Sequence, residues 1–337
     1  MIGLLIILLL VLFLPFTVKV VEHNLEYFLF IMGILAAFVG GVLDTKLLVQ
    51  ALEDPIKITL AVLLAGLLFK WFQNQLGHAI TAFSNKIPFP LFIAIVVIGL
   101  GFLSSIITAI IAALVLVLII SNLPLQRRHE VLLTVIACFS IGLGAALTPI
   151  GEPLSTIVTS KMGEDFLYLL ELVGPFVIPG VIVLGIFAAL VVKRREGLGL
   201  QSSTETESYK EIIVRSVKIY LFVFGLTMLG AGFEPLINAY LLDLSPKILY
   251  WVNMISAVLD NATLAAAEVS PAMSASTIEA ILLGLLISGG MLIPGNIPNI
   301  ISAGKLNITS KEWARAGVPI GLAIMVIYFV ILIVIGF

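Results

Sequence analysis

Charged residues are scarce in this chain, and their scarcity excludes a water-soluble fold. Lysine, arginine, aspartate and glutamate make up 11% of the 337 residues, while hydrophobic residues make up 61%. A soluble domain contains about 25% charged and roughly 45–50% apolar residues. The formal net charge of −2 also leaves the chain without the basic surface that nucleic-acid binding requires. We therefore predict an integral membrane protein whose partner is the lipid bilayer and not a nucleic acid.

Cysteine and histidine are scarce as well. Cys138 is the single cysteine, which excludes an internal disulfide and any metal site that is built from several cysteines. The three histidines have no second imidazole or carboxylate at the spacing of a metal site. The serine–histidine and histidine–glutamate patterns of hydrolytic sites are absent too. The sequence therefore predicts a protein that is not an enzyme and that holds no cofactor.

The apolar runs are numerous, but several are shorter than the roughly 20 residues that a membrane-crossing helix needs. Residues 90–103 and 105–120 form two runs that one polar residue separates, and residues 247–259 and 262–270 form a similar pair. Such pairs indicate helical hairpins that enter and leave the membrane on the same side. A bent backbone is tolerated there only where protein or a water-filled cavity covers it.

The hydrophilic segment 194–210 divides the chain into two comparable halves. We expect an all-α integral membrane protein with two inverted-topology repeats, each with a re-entrant helical hairpin and a broken transmembrane helix. The expected parts are an N-terminal repeat with leading scaffold helices at 1–193 (hairpin 90–120, broken helix 131–160), a linker at 194–210, and a C-terminal repeat at 211–337 (hairpin 247–270, broken helix 277–303).

The positions of lysine and arginine predict the orientation in the membrane. Cytoplasmic loops carry the excess of these residues, and a cytoplasmic linker places all but four of the 18 lysines and arginines inside. The four that remain outside are Lys46, Lys57, Lys161 and Lys247. In this topology the first hairpin enters from the cytoplasm and the second from outside, as inverted repeats require. We expect a multi-pass protein of the cell inner (plasma) membrane.

Proline and glycine interrupt one helix in each half. The segment LTPIGEPLSTIV (147–158) aligns with MLIPGNIPNIIS (291–302), so that Glu152 stands over Asn296 and Ser155 over Asn299. Proline removes a backbone donor, and glycine permits unusual φ values, so both helices should unwind inside the membrane. Interruptions at corresponding positions of two halves indicate a transport site near the midplane.

Oxygen-bearing side chains cluster at both interruptions and at both hairpin tips. Such hard ligands suit Na⁺ or another small cation, and they do not suit a soft transition metal. A carboxylate inside the membrane costs roughly 2.5–3.5 kcal/mol on insertion scales, so Glu152 and the main candidate, Asp260, indicate function. Because desolvation favours the protonated form, such a carboxylate can exchange a proton for a cation. The candidate cation- and proton-binding residues are Ser104, Ser105, Thr148, Glu152, Ser155, Asp260, Asn261, Thr263, Asn296 and Asn299.

Four other carboxylates are expected to lie at the ends of helices, in water or at the membrane interface. They are Glu171, Glu234, Glu268 and Glu279. A solvated position removes the cost of a buried charge, so the sequence assigns these four residues no function.

Three segments resemble the ion transporter superfamily, in particular its NhaD-type sodium/proton antiporters and arsenite permeases. GAALTPIGEPLSTIV resembles the signature T-P-I-G-(D/N/E)-P, AVLDNATLAAAEVSP is similar to an Asp-Asn hairpin tip, and GGMLIPGNIPNIISAG is similar to a glycine–asparagine break. The resemblance implies a homodimer in which a transport bundle moves like an elevator against a scaffold. By motif match it implies cation coordination by Ser104, Ser105, Glu152, Asp260, Asn261, Asn296 and Asn299.

The sequence favours a secondary transporter that exchanges Na⁺, or Li⁺, for protons. Two carboxylates among neutral oxygens suit a cation, and no lysine or arginine is predicted at either interruption. The Ser-Asn-Thr tips that hold a carboxylate substrate in the dicarboxylate carriers are replaced by SSIIT and DNAT. Because helix N-termini and bound Na⁺ also hold anions, a sodium-coupled carboxylate or oxyanion transporter is the alternative. A passive channel is disfavoured, since broken helices and hairpin tips indicate occluded sites.

Overall fold

The protein consists of α-helices that short turns connect. The computed structural model describes residues 2–18, 20–21, 24–53, 55–56, 59–60, 63–64, 67, 70–71, 75, 86–194, 208–240, 244–258, 261–269 and 273–335. Its helices are α1 (Ile2–Thr17), α2 (Leu25–Gly40), α3 (Phe89–Ile107), α4 (Ala109–Ser121), α5 (Arg127–Ala145), α6 (Pro153–Met162), α7 (Tyr168–Val191), α8 (Tyr209–Tyr240), α9 (Pro246–Val252), α10 (Asn261–Glu268), α11 (Ala275–Gly289), α12 (Ile297–Leu306) and α13 (Ser310–Val334). Short 3₁₀ helices follow α9 and precede α12, at Asn253–Ala257 and Ile293–Gly295.

Five helices in the described part of the chain are long and apolar enough to cross a membrane. They are α3, α5, α7, α8 and α13. The apolar 18-residue segment of α13 is 28% buried in the protein, whereas that of α5 is 78% buried. The mean hydropathy of α5, 1.3, is nevertheless the lowest of the five. The structure is that of an all-α membrane protein, as predicted, and α5 is its central helix.

Small residues allow α3 to lie directly against α5. A Cβ atom on Gly144 would overlap the carbonyl oxygen of Gly101. The hydroxyl of Ser140 donates to the carbonyl oxygen of Val97 at 2.9 Å, and that of Ser104 lies 2.9 Å from the carbonyl oxygen of Ile141. Small and hydroxylated residues are the usual means by which membrane helices approach closely. These contacts hold the first half of the chain around α5.

The helices α2 and α8 form a second close pair. A Cβ on Gly33 would overlap the carbonyl oxygen of Gly225, and a Cβ on Gly40 would meet that of Gly232. The later glycine of α2 meets the later glycine of α8, and each lies the same number of residues after the earlier one. The two helices therefore run parallel. Their backbones touch, since nothing larger than hydrogen separates them.

A leucine at position 225 should force α2 and α8 apart. A Cβ there would lie about 2.6–2.7 Å from backbone atoms of Leu29 and Phe30, and backbone cannot yield as a flexible side chain does. We expect Gly225→Leu to destabilise the protein by at least the ~1–3 kcal/mol that overpacking costs, measured as a lower midpoint of thermal unfolding in detergent. The control is Gly99→Leu in α3, where a Cβ would meet no atom within 4 Å. Equal midpoints for the two variants would contradict this packing.

Arg127 joins the start of α5 to the end of the second half. Its guanidinium donates to the carbonyl oxygens of Leu306 (2.9 Å) and Asn307 (2.7 Å). It also pairs with both carboxylate oxygens of Glu312, at 2.8 and 2.9 Å. Such bidentate, charge-assisted bonds are the strong ones. Arg127 therefore holds the C-terminus of α12 and the N-terminus of α13 against α5.

The segment predicted as the first hairpin contains α3 and α4, and the turn between them lies four residues later than the apolar runs indicated. The turn is at Thr108, which has a φ of 76°, and α3 continues through Ser104 and Ser105. Both hydroxyls lie close to carbonyl oxygens three residues back, at Gly101 (2.6 Å) and Phe102 (2.7 Å). This local bonding satisfies the hydroxyls inside a helix, so the polar pair does not end it.

Candidate functional site

The first interruption, residues 146–152, separates α5 from α6. The hydroxyl of Thr148 donates to the carbonyl oxygen of Ser105, and the backbone N–H of Ala109 donates to the carbonyl oxygen of Gly151 at 2.8 Å. The turn of the first hairpin is thereby fastened to the interruption of the same half. Glu152, the last residue of the interruption, is 5% exposed.

The second interruption, residues 290–296, separates α11 from α12. The side-chain amide of Asn299 donates to the carbonyl oxygens of Gly289 (2.8 Å), at the end of α11, and Leu292 (2.9 Å), within the interruption. Asn299 is fully buried, and its Oδ1 has no hydrogen-bond partner in the described part of the chain. Asn296 is buried as well, with 4% of its surface exposed. The second interruption thus holds a buried amide oxygen that is available to a ligand.

The two interruptions have the same internal geometry at aligned positions. Ser155 directs its hydroxyl to the carbonyl oxygen of Ala145 at 3.4 Å, as the aligned Asn299 directs its amide to that of Gly289 at 2.8 Å. A Cβ on Gly151 would overlap the Ala145 carbonyl oxygen, and a Cβ on the aligned Gly295 would meet the Gly289 carbonyl oxygen. In both cases the chain folds back so tightly that only glycine fits.

The two interruptions also lie side by side. The amide nitrogen of Asn296 lies against Gly142 of α5, where a Cβ would come within 2.8 Å of it. Cys138, one turn earlier, contacts Ser302 of α12, with 3.4 Å between sulfur and hydroxyl oxygen. Since α5 ends at Ala145, the second interruption faces the last turn of the helix that leads into the first. Both unwound segments therefore share the protein interior.

The remaining candidates are placed as follows. The hydroxyl of Ser104 is shared between the carbonyl oxygens of Gly101 and Ile141. Asn261 starts α10 and is buried, and its Nδ2 has no hydrogen-bond partner among the described residues. Its helix packs against α6, which begins directly after Glu152. Asp260 and the side chain of Thr263 lie outside the described residues.

A cavity of about 280 Å³ opens between the α2–α8 pair and the second interruption. Its lining includes Glu26 and Lys218, which form an ion pair at 3.6 Å between Nζ and Oε1. It also includes Ile293 of the second interruption and Thr309 and Ser310 at the start of α13. A space of this size holds several water molecules, and it leads from charged groups to the unwound backbone.

One sequence prediction is wrong for a charged residue. Glu268 was expected at a solvated helix end, but it is 2% exposed. Glu171 and Glu234 are exposed as expected, and Glu279 is partly buried. The sequence held no local signal of this burial, because the helices that cover Glu268 come from distant parts of the chain.

The described part of the chain does not contain a cluster of side chains that is typical of transition-metal sites. No group of three or more histidine, cysteine, aspartate or glutamate side chains converges there. The polar groups that belong to the two interruptions are carboxylate, amide, hydroxyl and backbone groups. Hard oxygen ligands of this kind match small alkali cations.

Two comparisons with known proteins complete this description. None of the curated proteins matches the chain. Residues 1–335 match the model of a family described as "Protein of unknown function (DUF1646)". The match includes both interruptions, the short helices beside them and the α2–α8 pair. Because it extends over nearly the whole sequence, the chain belongs to the DUF1646 family.

Proposed function

We propose that the protein is a secondary active transporter that exchanges Na⁺ or Li⁺ for protons. The observation that carries the proposal is the matched geometry of the two interruptions. Two unwound segments at aligned positions make the same contacts and lie side by side in the interior. Broken helices of this kind supply backbone carbonyls and helix ends for ion binding near the midplane.

The packing of the helices supports an inverted repeat. In the proposed repeat, α4 corresponds to α10 and α6 corresponds to α12. The contact of α4 with α12 therefore has the contact of α10 with α6 as its counterpart, and both contacts are present. The contacts of α5 with α13 and of α11 with α7 form a second such pair. The proposal therefore treats α3–α7, within residues 1–193, and α9–α13, within residues 211–337, as structurally equivalent units.

The lengths of three helices support re-entrant hairpins, whereas α3 is long enough to cross a membrane. The 13 residues of α4 extend about 20 Å at 1.5 Å per residue, which is less than the roughly 30 Å of the hydrocarbon core. The helices α9 and α10 have 7 and 8 residues. The turn between α3 and α4 is bonded to the first interruption, which satisfies the rule that bent backbone needs a protein cover.

Two contacts support the proposed topology with a cytoplasmic linker. The parallel α2–α8 pair requires the chain before Leu25 and the linker before Tyr209 to lie on one side. Arg127 contacts Asn307 and Glu312, so the segments around these residues share a side as well. Lysines and arginines are concentrated in these same segments, in agreement with the positive-inside rule.

The buried oxygens favour a cation as the transported species. Glu152 is the carboxylate of the first interruption, and Asn299 offers an amide oxygen in the second. Asp260, which the sequence assigns as the main carboxylate, belongs to the tip that joins α9 to α10. In an elevator mechanism the α2–α8 pair is the scaffold, and the cavity beside it is the route by which the ion reaches the second interruption.

The test is a transport assay in liposomes with a pH-sensitive dye inside. External Na⁺ should raise the internal pH of liposomes with the wild type, because Na⁺ enters while protons leave. Asp260→Asn should show no change, because an amide cannot exchange a proton for a cation. Liposomes without protein and addition of K⁺ serve as controls. If Na⁺ moves no protons but drives uptake of a labelled organic anion, the antiport proposal is wrong and the sodium-coupled alternative takes its place.

A further inference from the structure

A second buried carboxylate lies outside the two interruptions. Glu268 ends α10, and neither of its carboxylate oxygens has a hydrogen-bond partner among the described residues. Arg127 pairs with Glu130 and Glu312, and Lys218 pairs with Glu26. Charged groups in protein interiors are normally paired or bind metal ions, so Glu268 requires an explanation.

The neighbour of this carboxyl is the side-chain amide of Asn253. Asn253 is fully buried, and within the described chain neither its Nδ2 nor its Oδ1 forms a hydrogen bond. The Asn253 amide is thus close enough to act on the carboxyl as a hydrogen-bonding neighbour, although neither side chain makes a hydrogen bond of normal geometry. Among the described residues, four buried polar atoms of this pair are left without such a bond, which native structures rarely allow.

The backbone holds Asn253 in this place. Its carbonyl oxygen accepts a hydrogen bond from the hydroxyl of Ser288 at 2.6 Å. A Cβ atom on Gly284 would lie 3.3 Å from the Cβ atom of Asn253. The helix that carries Glu268 packs against α6, α8 and α11. The positions of both side chains are therefore determined by the packing of these segments against one another.

The chemistry of these two side chains indicates a small cation. A carboxylate offers two acceptor oxygens and an amide offers one, and a cation placed between them is coordinated by both. Hard oxygen ligands select alkali and alkaline-earth ions. With a single carboxylate the site carries one negative charge, which a monovalent ion neutralises and a divalent ion exceeds.

We propose that Glu268 and Asn253 bind a Na⁺ ion at a site separate from Glu152 and Asp260. The site lies in the second hairpin, two helical turns from its tip. Binding depends only on the geometry of this pair, whereas a role in the transport cycle rests on the proposed antiport function. In that cycle the site adds a second cation to each chain.

The experiment is equilibrium binding of radiolabelled Na⁺ to purified protein in detergent. Glu268→Gln keeps the size of the side chain and removes its charge. We expect it to bind one Na⁺ fewer per chain than the wild type. Asn253→Ala removes one oxygen ligand and should weaken the same binding event by about tenfold. A tenfold loss of affinity corresponds to about 1.4 kcal/mol. The matched control is Glu279→Gln on the neighbouring α11, which should bind as the wild type does.

Thermal unfolding with and without Na⁺ provides the second measurement. A ligand that binds the folded state raises its stability, so Na⁺ should raise the unfolding midpoint of the wild type more than that of Glu268→Gln. A Glu268→Gln protein that folds and binds the same number of Na⁺ ions with unchanged affinity would overturn the proposal. If that occurs while the wild type exchanges Na⁺ for protons, the transport proposal stands alone. If Glu268→Gln loses an ion but the wild type moves no protons, the binding site stands without antiport.

Discussion

Replacing Glu152 by glutamine is expected to abolish Na⁺-driven proton movement in liposomes. Glu152 is the carboxylate of the first interruption, and it is 5% exposed. Glutamine retains the shape and one acceptor oxygen, but it has neither the charge that binds Na⁺ nor the group that takes up a proton. We expect the dye signal to fall to that of protein-free liposomes, while the thermal unfolding midpoint in the absence of Na⁺ stays close to that of the wild type.

Two variants make the Glu152 result specific. Glu152→Asp retains the carboxylate and should keep measurable exchange, since the signature that this segment resembles accepts aspartate at the position. Glu171→Gln removes a carboxylate that is exposed at the start of α7, and it should exchange at the rate of the wild type. Full exchange by Glu152→Gln would show that this carboxylate carries neither the proton nor the cation.

Replacing Asn299 by leucine is expected to cause the largest loss of stability. The Asn299 amide donates to the carbonyl oxygens of Gly289 and Leu292, and no part of Asn299 is exposed. Leucine has a similar size but no donor, so the Gly289 carbonyl loses its side-chain partner, and the Leu292 carbonyl keeps only a long bond (3.4 Å) from the Gly295 N–H. We expect destabilisation by about 2–4 kcal/mol, measured by thermal or denaturant unfolding in detergent, together with loss of transport.

The first half of the chain provides the matched variant for Asn299. Its aligned residue, Ser155, bonds to the carbonyl oxygen of Ala145 with a hydroxyl. Asn299→Ser should therefore restore one of the two bonds and cost less than Asn299→Leu. A second control, Asn122→Leu, removes a single amide bond to Leu118 at the end of α4 and should cost about 1 kcal/mol. Equal losses in all three variants would mean that the second interruption does not depend on Asn299.

The interruptions were predictable because their causes are local. Proline and glycine limit or widen the backbone conformations of the residues that carry them, whatever the rest of the fold does. The predicted breaks near Gly151 and Gly295 accordingly lie between the ends of α5 and α11 and the starts of α6 and α12. The membrane class was predictable for a similar reason, since overall hydrophobicity is a sum over residues.

The turn of the first hairpin shows where local patterns are insufficient. Polar residues in an apolar run were interpreted as a tip, but the hydroxyls of Ser104 and Ser105 bond to the helix itself. Whether a hydroxyl ends a helix depends on which acceptors are in reach. The turn forms instead at Thr108, the residue before Ala109, which bonds to Gly151. That acceptor lies in another segment of the chain.

The burial of Glu268 is a second property that local sequence patterns did not predict. Its position near the end of an apolar run is compatible with water, and the prediction of a solvated helix end followed from that. Its burial results from the packing of α10 against α6, α8 and α11, which brings together residues far apart in the chain. The spacing of residues within a single helix does not indicate those contacts.

The sequence by itself determined that the chain lies in a membrane and that one helix of each half is interrupted. These properties follow from side-chain hydrophobicity and from the backbone limits of proline and glycine, which act within a few residues. Only the tertiary structure decided that the two interruptions adjoin at Gly142 and Asn296 and that Glu268 faces Asn253. Those juxtapositions depend on close packing between distant segments, because the shape of each helix surface determines which neighbours fit.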